Sequence, residues 1–126
     1  MTAPRELEGA ELSAAVAMEV MGWTATVEEG ECFGYVPKTG STRFPWAPHA
    51  SWADAMEVVA KLIAAEWCFG LSWIPSDEVW EATFDREKRG ADKHHKWPMK
   101  THCVEAPHGP TAICRAALLA RAGEER

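Results

Sequence analysis

No apolar run in this chain of 126 residues approaches the roughly 18 needed for a membrane-spanning helix. The opening stretch, Met1 to Glu8, lacks the basic-then-apolar order of a secretory signal, so the protein is expected to stay in the cytosol. Four cysteines, Cys32, Cys68, Cys103 and Cys114, are widely spaced and form no Cys-x-x-Cys pair. In a reducing compartment that spacing predicts free thiols packed as small hydrophobes. The phosphate-cradling Gly-x-x-x-x-Gly-Lys loop is missing, as are Gly-x-Gly-x-x-Gly, the Gly-x-Ser-x-Gly elbow and His-Glu-x-x-His. Carboxylates are plentiful, yet no pair has a context that singles it out as acid and base. These absences tilt the expectation from an enzyme towards a binding protein.

A metal centre has poor material. Zinc would draw on Cys103, His102, His108, His94 and His95, but tetrahedral sites favour short-spaced pairs. The neighbours His94-His95 and His102-Cys103 would point to opposite faces of a strand. No metal and no cofactor are therefore expected.

Charge is uneven. The net charge is −6, which disfavours non-specific binding to long nucleic acid. Between Arg86 and Lys100 stand Arg86, Lys88, Arg89, Lys93, Lys96 and Lys100, opposed by Glu87 and Asp92 alone. That segment carries +4 and leaves −10 on the rest. A basic segment on an acidic body can attract a compact anion and disfavour a long polyanion; the plainer reading is a solvated loop.

Length, 47% hydrophobic and 25% charged residues fit one domain over 1–126, with 1–9 and 123–126 frayed. Ala10 to Met21 reads as a helix with Leu12, Val16 and Val20 on one stripe, stopped by Gly22 in the left-handed conformation. Trp23 is expected to fold back on that stripe. Cys32 to Val36 reads as a short strand, and Pro37 to Pro48 as a loop. Ser51, three residues before Asp54, opens a second helix in a near capping box, with Trp52, Ala55, Met56, Val59, Leu62 and Ile63 as its apolar stripe. Trp67 to Trp73 and Val79 to Phe84 alternate with period two across Pro75-Ser76-Asp77, which predicts an antiparallel hairpin. Thr101 to Ala106 is a further strand. A last helix starts at Pro110 or Thr111 and carries a small-residue face of Ala112, Ile113, Ala116, Ala117 and Ala120. The resulting class is α+β: an antiparallel sheet with helices packed on its faces, α-β-α sandwich-like.

The chemistry on offer is aromatic rings beside cations. Seven tryptophans is a high number for this length, and Trp52, Trp67 and Trp73 are assigned to apolar faces. Trp80 and Phe84 share a strand face that leads into Arg86 and Arg89. A ring can stack on a nucleobase, and guanidinium groups grip phosphate in bidentate fashion. Arg115 lies near the start of the last helix, where free N–H groups and the dipole favour an anion.

Several phrases resemble the phage ABA-sandwich family: Glu19-Val20-Met21-Gly22-Trp23, Ala53-Asp54-Ala55-Met56-Glu57-Val58-Val59, Trp80-Glu81-Ala82-Thr83-Phe84 and, most specific, Pro110-Thr111-Ala112-Ile113-Cys114-Arg115-Ala116-Ala117-Leu118-Leu119. The family includes anti-defence sponges. The resemblance implies a non-enzymatic phage protein acting in the cytoplasm of the infected bacterial host. It would bind glycocyclic ADP-ribose signals of Thoeris immunity and hold them intact. Some members also bind cyclic di- or trinucleotides of CBASS immunity at separate sites, and they assemble as dimers or hexamers with pockets at subunit junctions. Carried onto this chain, the resemblance implies Phe84 as a stacking residue and Arg115 as a phosphate contact. Lys93, His95 and Lys100 join Trp80, Arg86 and Arg89 as candidates by chemistry alone. The rival class is an acidic protein-binding inhibitor or DNA mimic using the −10 body. A sponge requires a concave pocket joining rings to arginines; a mimic requires a flat, carboxylate-lined face.

Overall fold

The protein is described by a computed structural model, in which residues 7–28, 31–36, 46–86 and 100–124 are described. The order is α1 (Gly9–Glu19), β1 (Thr24–Glu28), β2 (Glu31–Val36), α2 (Trp52–Ala64), β3 (Cys68–Ile74), β4 (Val79–Arg86), β5 (Lys100–Ala106) and α3 (Gly109–Glu124). β1 and β2 form one antiparallel hairpin, and β3-β4-β5 an antiparallel sheet. The class is α+β, as the alternation of periods implied.

The ends of α1 and α2 follow local chemistry. Gly22 has φ +73°, and beyond it the Trp23 N–H donates to the Ala17 carbonyl at 2.8 Å. Trp23 is partly buried against the core, with its ring centroid 4.6 Å from that of Trp46. Ser51 caps α2 by accepting from the Asp54 N–H at 3.3 Å. The reciprocal arm differs from a capping box: the short Asp54 side chain accepts from the Ala47 N–H at 2.9 Å. α2 ends in a Schellman turn, with Trp67 N–H on Leu62 O and Glu66 N–H on Ile63 O.

Pairing of Phe69 with Phe84, Leu71 with Ala82 and Trp73 with Trp80 places these six side chains on one sheet face, joined from β5 by His102, Val104 and Ala106. α3 lies against β4 and β5, with α2 and α1 packed beside it and the β1-β2 hairpin against α1. The small-residue face of α3 is wholly spent here: Ala112, Ile113, Ala116, Ala117 and Ala120 are all 0% exposed. Alanines let the helix approach its own sheet and neighbouring helices, so this face is not available to another subunit. The other sheet face carries Cys68, Gly70, Ser72, Thr101 and Glu105, all exposed.

Three expectations change. β1 is a strand that the sequence reading left out. The buried stripe of α2 is Ala55, Val58, Val59 and Leu62, whereas Trp52, Met56 and Ile63 are about half exposed. Trp73 is likewise exposed, so of the tryptophans assigned to the core only Trp67 lies fully inside.

Candidate functional site

The residues that open all three helices line one cavity of about 660 Å³. The start of α1 contributes Gly9 and its N-cap Glu8, the start of α2 contributes Trp52 with Ala50 just before its cap, and α3 contributes Gly109, Pro110 and Thr111. Trp80 of β4, His49, Pro107, His108 and Arg115 complete the lining. The first N–H groups of a helix lack intrahelical partners and carry partial positive charge. The helix dipoles and the guanidinium in one concavity favour an anion, although at α2 the Asp54 N–H is already taken by Ser51 and Pro110 of α3 has no N–H to give.

The aromatic wall is built by close packing. A Cβ on Gly109 would lie 2.1 Å from the far edge of the Trp52 ring, so only glycine lets that ring rest on the start of α3. Trp52 then meets Trp80 edge-on at 5.3 Å, and Trp80 meets Trp73 at 5.4 Å. Nearly half of Trp52 remains accessible, which leaves ring surface for a planar ligand.

The polar wall is tied down from several elements. Ser13 Oγ, buried on α1, and His49 Nδ1 share a hydrogen bond of 2.6 Å. Thr111 on α3 donates to the His49 carbonyl at 3.0 Å. Desolvation lowers the pKa of His49 below the usual histidine value, which favours a neutral imidazole. Arg115 donates from Nε to the Leu7 carbonyl at 3.0 Å, and its Nη2 lies 3.7 Å from Glu8 Oε1.

The site residues named from sequence divide into separate groups. Trp80 and Arg115 come together in the cavity. Phe84 does not join them: it is 0% exposed, in contact with Phe69 at 5.2 Å between ring centroids, and presents no face to a ligand. Arg86 lies six residues along β4 from Trp80, roughly 20 Å away at strand rise, with its guanidinium over the Trp67 ring at 5.5 Å. Lys100 pairs with Arg86 in the β4-β5 register, at that same distant end. Arg89, Lys93 and His95 lie outside the described residues, as do His94 and most of the basic segment. Of the metal candidates, His102 and Cys103 fall on opposite sheet faces. The His102 ring is near Trp67, and Cys103 accepts a hydrogen bond from Thr83.

Sequence reading missed Trp52 and His49. Trp52 fits the apolar period of α2 and so looked like core. Its position as the first residue of α2, set against the glycine that opens α3, exists only in three dimensions. His49 sits in a Pro- and Ala-rich approach to the Ser51 cap, with no local feature to mark it.

A comparison with family profiles matches residues 14–118 to the phage ABA sandwich domain. A search of curated proteins finds no match. The matched span contains the whole cavity lining except Glu8 and Gly9. Among the described residues no helix is long and apolar enough to cross a membrane. With most of the chain matched by this one profile, the protein belongs to the phage ABA sandwich domain family.

Proposed function

We propose that this protein is a phage anti-defence sponge that binds cyclic ADP-ribose-type signals of Thoeris immunity and holds them without cleavage. Cyclic oligonucleotides of CBASS immunity are the second ligand class of this reading. The observation that carries it is the cavity that joins Trp52 and Trp80 to Arg115 and the three helix N-termini. A purine stacks on the rings, and phosphate oxygens take the helix N–H groups and the guanidinium. The volume suits a dinucleotide-sized ligand, since small-molecule sites run from about 300 to 1,000 Å³. The DNA-mimic alternative calls for no such pocket and gives the concave lining of rings and guanidinium no ligand.

The same reading places the protein in the host cytoplasm as a homo-oligomer. Trp52 leads along α2 into exposed Met56 and Ile63, so the rim of the pocket is apolar and suits a neighbouring subunit.

The test is direct. The protein is incubated with glycocyclic ADP-ribose and a panel of cyclic di- and trinucleotides, freed of excess ligand and denatured. Mass spectrometry should recover a member of the panel intact. Recovery of a hydrolysed product would make the protein an enzyme, and recovery of nothing would remove the sponge reading.

A further inference from the structure

Glu8 is the one carboxylate among the described residues that line the cavity, and it stands beside the one guanidinium. Its position needs an account, because local structure does not supply one. Glu8 occupies the N-cap position of α1, yet its side chain makes no capping hydrogen bond. Its Oε1 lies 3.7 Å from Arg115 Nη2, longer than a hydrogen bond, so charge alone holds it there. The two partners differ in freedom. The Glu8 side chain is 83% exposed, whereas that of Arg115 is 13% exposed and is anchored through Nε to the Leu7 carbonyl. The cation is fixed and the anion can swing away into solvent.

We propose that Glu8 is a resident competitor for Arg115 and thereby sets the affinity threshold of the cavity. The inference rests on the reading that the cavity takes an anion. A bare anion such as phosphate must displace the carboxylate and has only charge with which to do so. A ligand that also lays a ring on Trp52 or Trp80 has stacking to add and overcomes the same competition. The displacement costs every Arg115-binding ligand alike, so Glu8 pushes simple phosphates, which have charge alone, to weak binding while ligands that also stack a planar base stay bound. Displacement breaks no full hydrogen bond, so exchange is not slowed.

The experiment is calorimetric titration of the parent, Glu8→Gln, Arg115→Gln and the double variant. Inorganic phosphate and ADP-ribose are the probes, at about 50 mM and about 500 mM salt. Each variant is first shown to be folded by circular dichroism. Glu8→Gln should bind phosphate about three- to tenfold more tightly than the parent at low salt, with the gain shrinking at high salt. The gain should vanish when Arg115 is also changed, which a general field effect of Glu8 would not do. Phosphate bound by Glu8→Gln but not by the parent supports the proposal most strongly. If the parent binds a probe and Glu8→Gln binds it no more tightly, the competitor role is wrong and the pocket reading stands. A gain that persists in the Arg115→Gln background also overturns it. If neither the parent nor Glu8→Gln binds either probe, both the competitor role and the anion pocket fail together.

Discussion

Trp80 and Phe84 lie on the same face of one strand, and their burial separates their roles. Phe84 is fully buried against Phe69 of β3, while Trp80 reaches the cavity nearer the strand's other end. Phe84→Ala should therefore cost about 3–5 kcal/mol of stability, read from urea unfolding, as for any large core side chain cut to a methyl. Trp80→Ala should lower ligand affinity about ten- to hundredfold while the protein stays folded. A Phe84→Ala variant as stable as the parent would contradict this placement. His49 yields a pH prediction. Its folded pKa lies below the unfolded value of 6.5, so the unfolded chain binds the proton more readily. Stability is then fully present above that unfolded value and is lost as pH falls through the lowered folded pKa. Urea midpoints measured from pH 7.5 to 5 should fall on acidification, and the slope should flatten in His49→Gln. Equal slopes in both proteins would remove His49 as the source.

At the scale of elements, the local signals that proved legible were those whose physics is local. Ser51 and the left-handed Gly22 act within a few residues of themselves, and both ends lie where their chemistry puts them. Alternation over β3 and β4 likewise needs only neighbours. β1 was missed although Thr24-Ala25-Thr26-Val27-Glu28 alternates, because only Ala25 and Val27 are apolar and the run is short; it becomes a strand by pairing with β2, from Thr24 opposite Val36 to Glu28 opposite Glu31. The β3-β4 turn contains one locally unfavourable choice. Glu78, exposed and without glycine's freedom, has φ +53°. Glu78→Gly should raise stability by about 0.5–1 kcal/mol, the left-handed strain relieved less the extra entropy of glycine when unfolded. A lower urea midpoint would show that the side chain contributes more than the strain costs. Ser51→Ala should move the other way by about 1 kcal/mol, since it leaves the Asp54 N–H without its cap.

The whole molecule decides what remains on the surface. The alanine face of α3 is consumed by the protein's own sheet and neighbouring helices. Among the described residues, the large apolar side chains left exposed are Trp52, Met56 and Ile63 along one side of α2, Trp73 on β3 and Met18 on α1. Under the sponge reading a second copy covers this surface. Light scattering at micromolar concentration should then give a mass that is a multiple of 13.9 kDa, and Met56→Glu should shift it towards the single chain. A parent mass of one chain would sink the oligomer.

The sequence by itself determined the α+β class, the positions of α2, β3, β4 and α3, and the membership carried by the Pro110–Leu119 phrase. Each of these rests on periodicity, capping or a contiguous run of residues, which are properties of a line. The tertiary structure alone decided that Trp80 and Arg115 share a cavity, that Phe84 does not, and that Trp52 and His49 do. Those relations join residues as far apart in the chain as His49 and Arg115. They depend on how α3 seats against the sheet and on a glycine at its start that leaves room for a ring. No local pattern records that distance, because the helix period that marks Trp52 as apolar is the same whether its ring meets the core or the ligand.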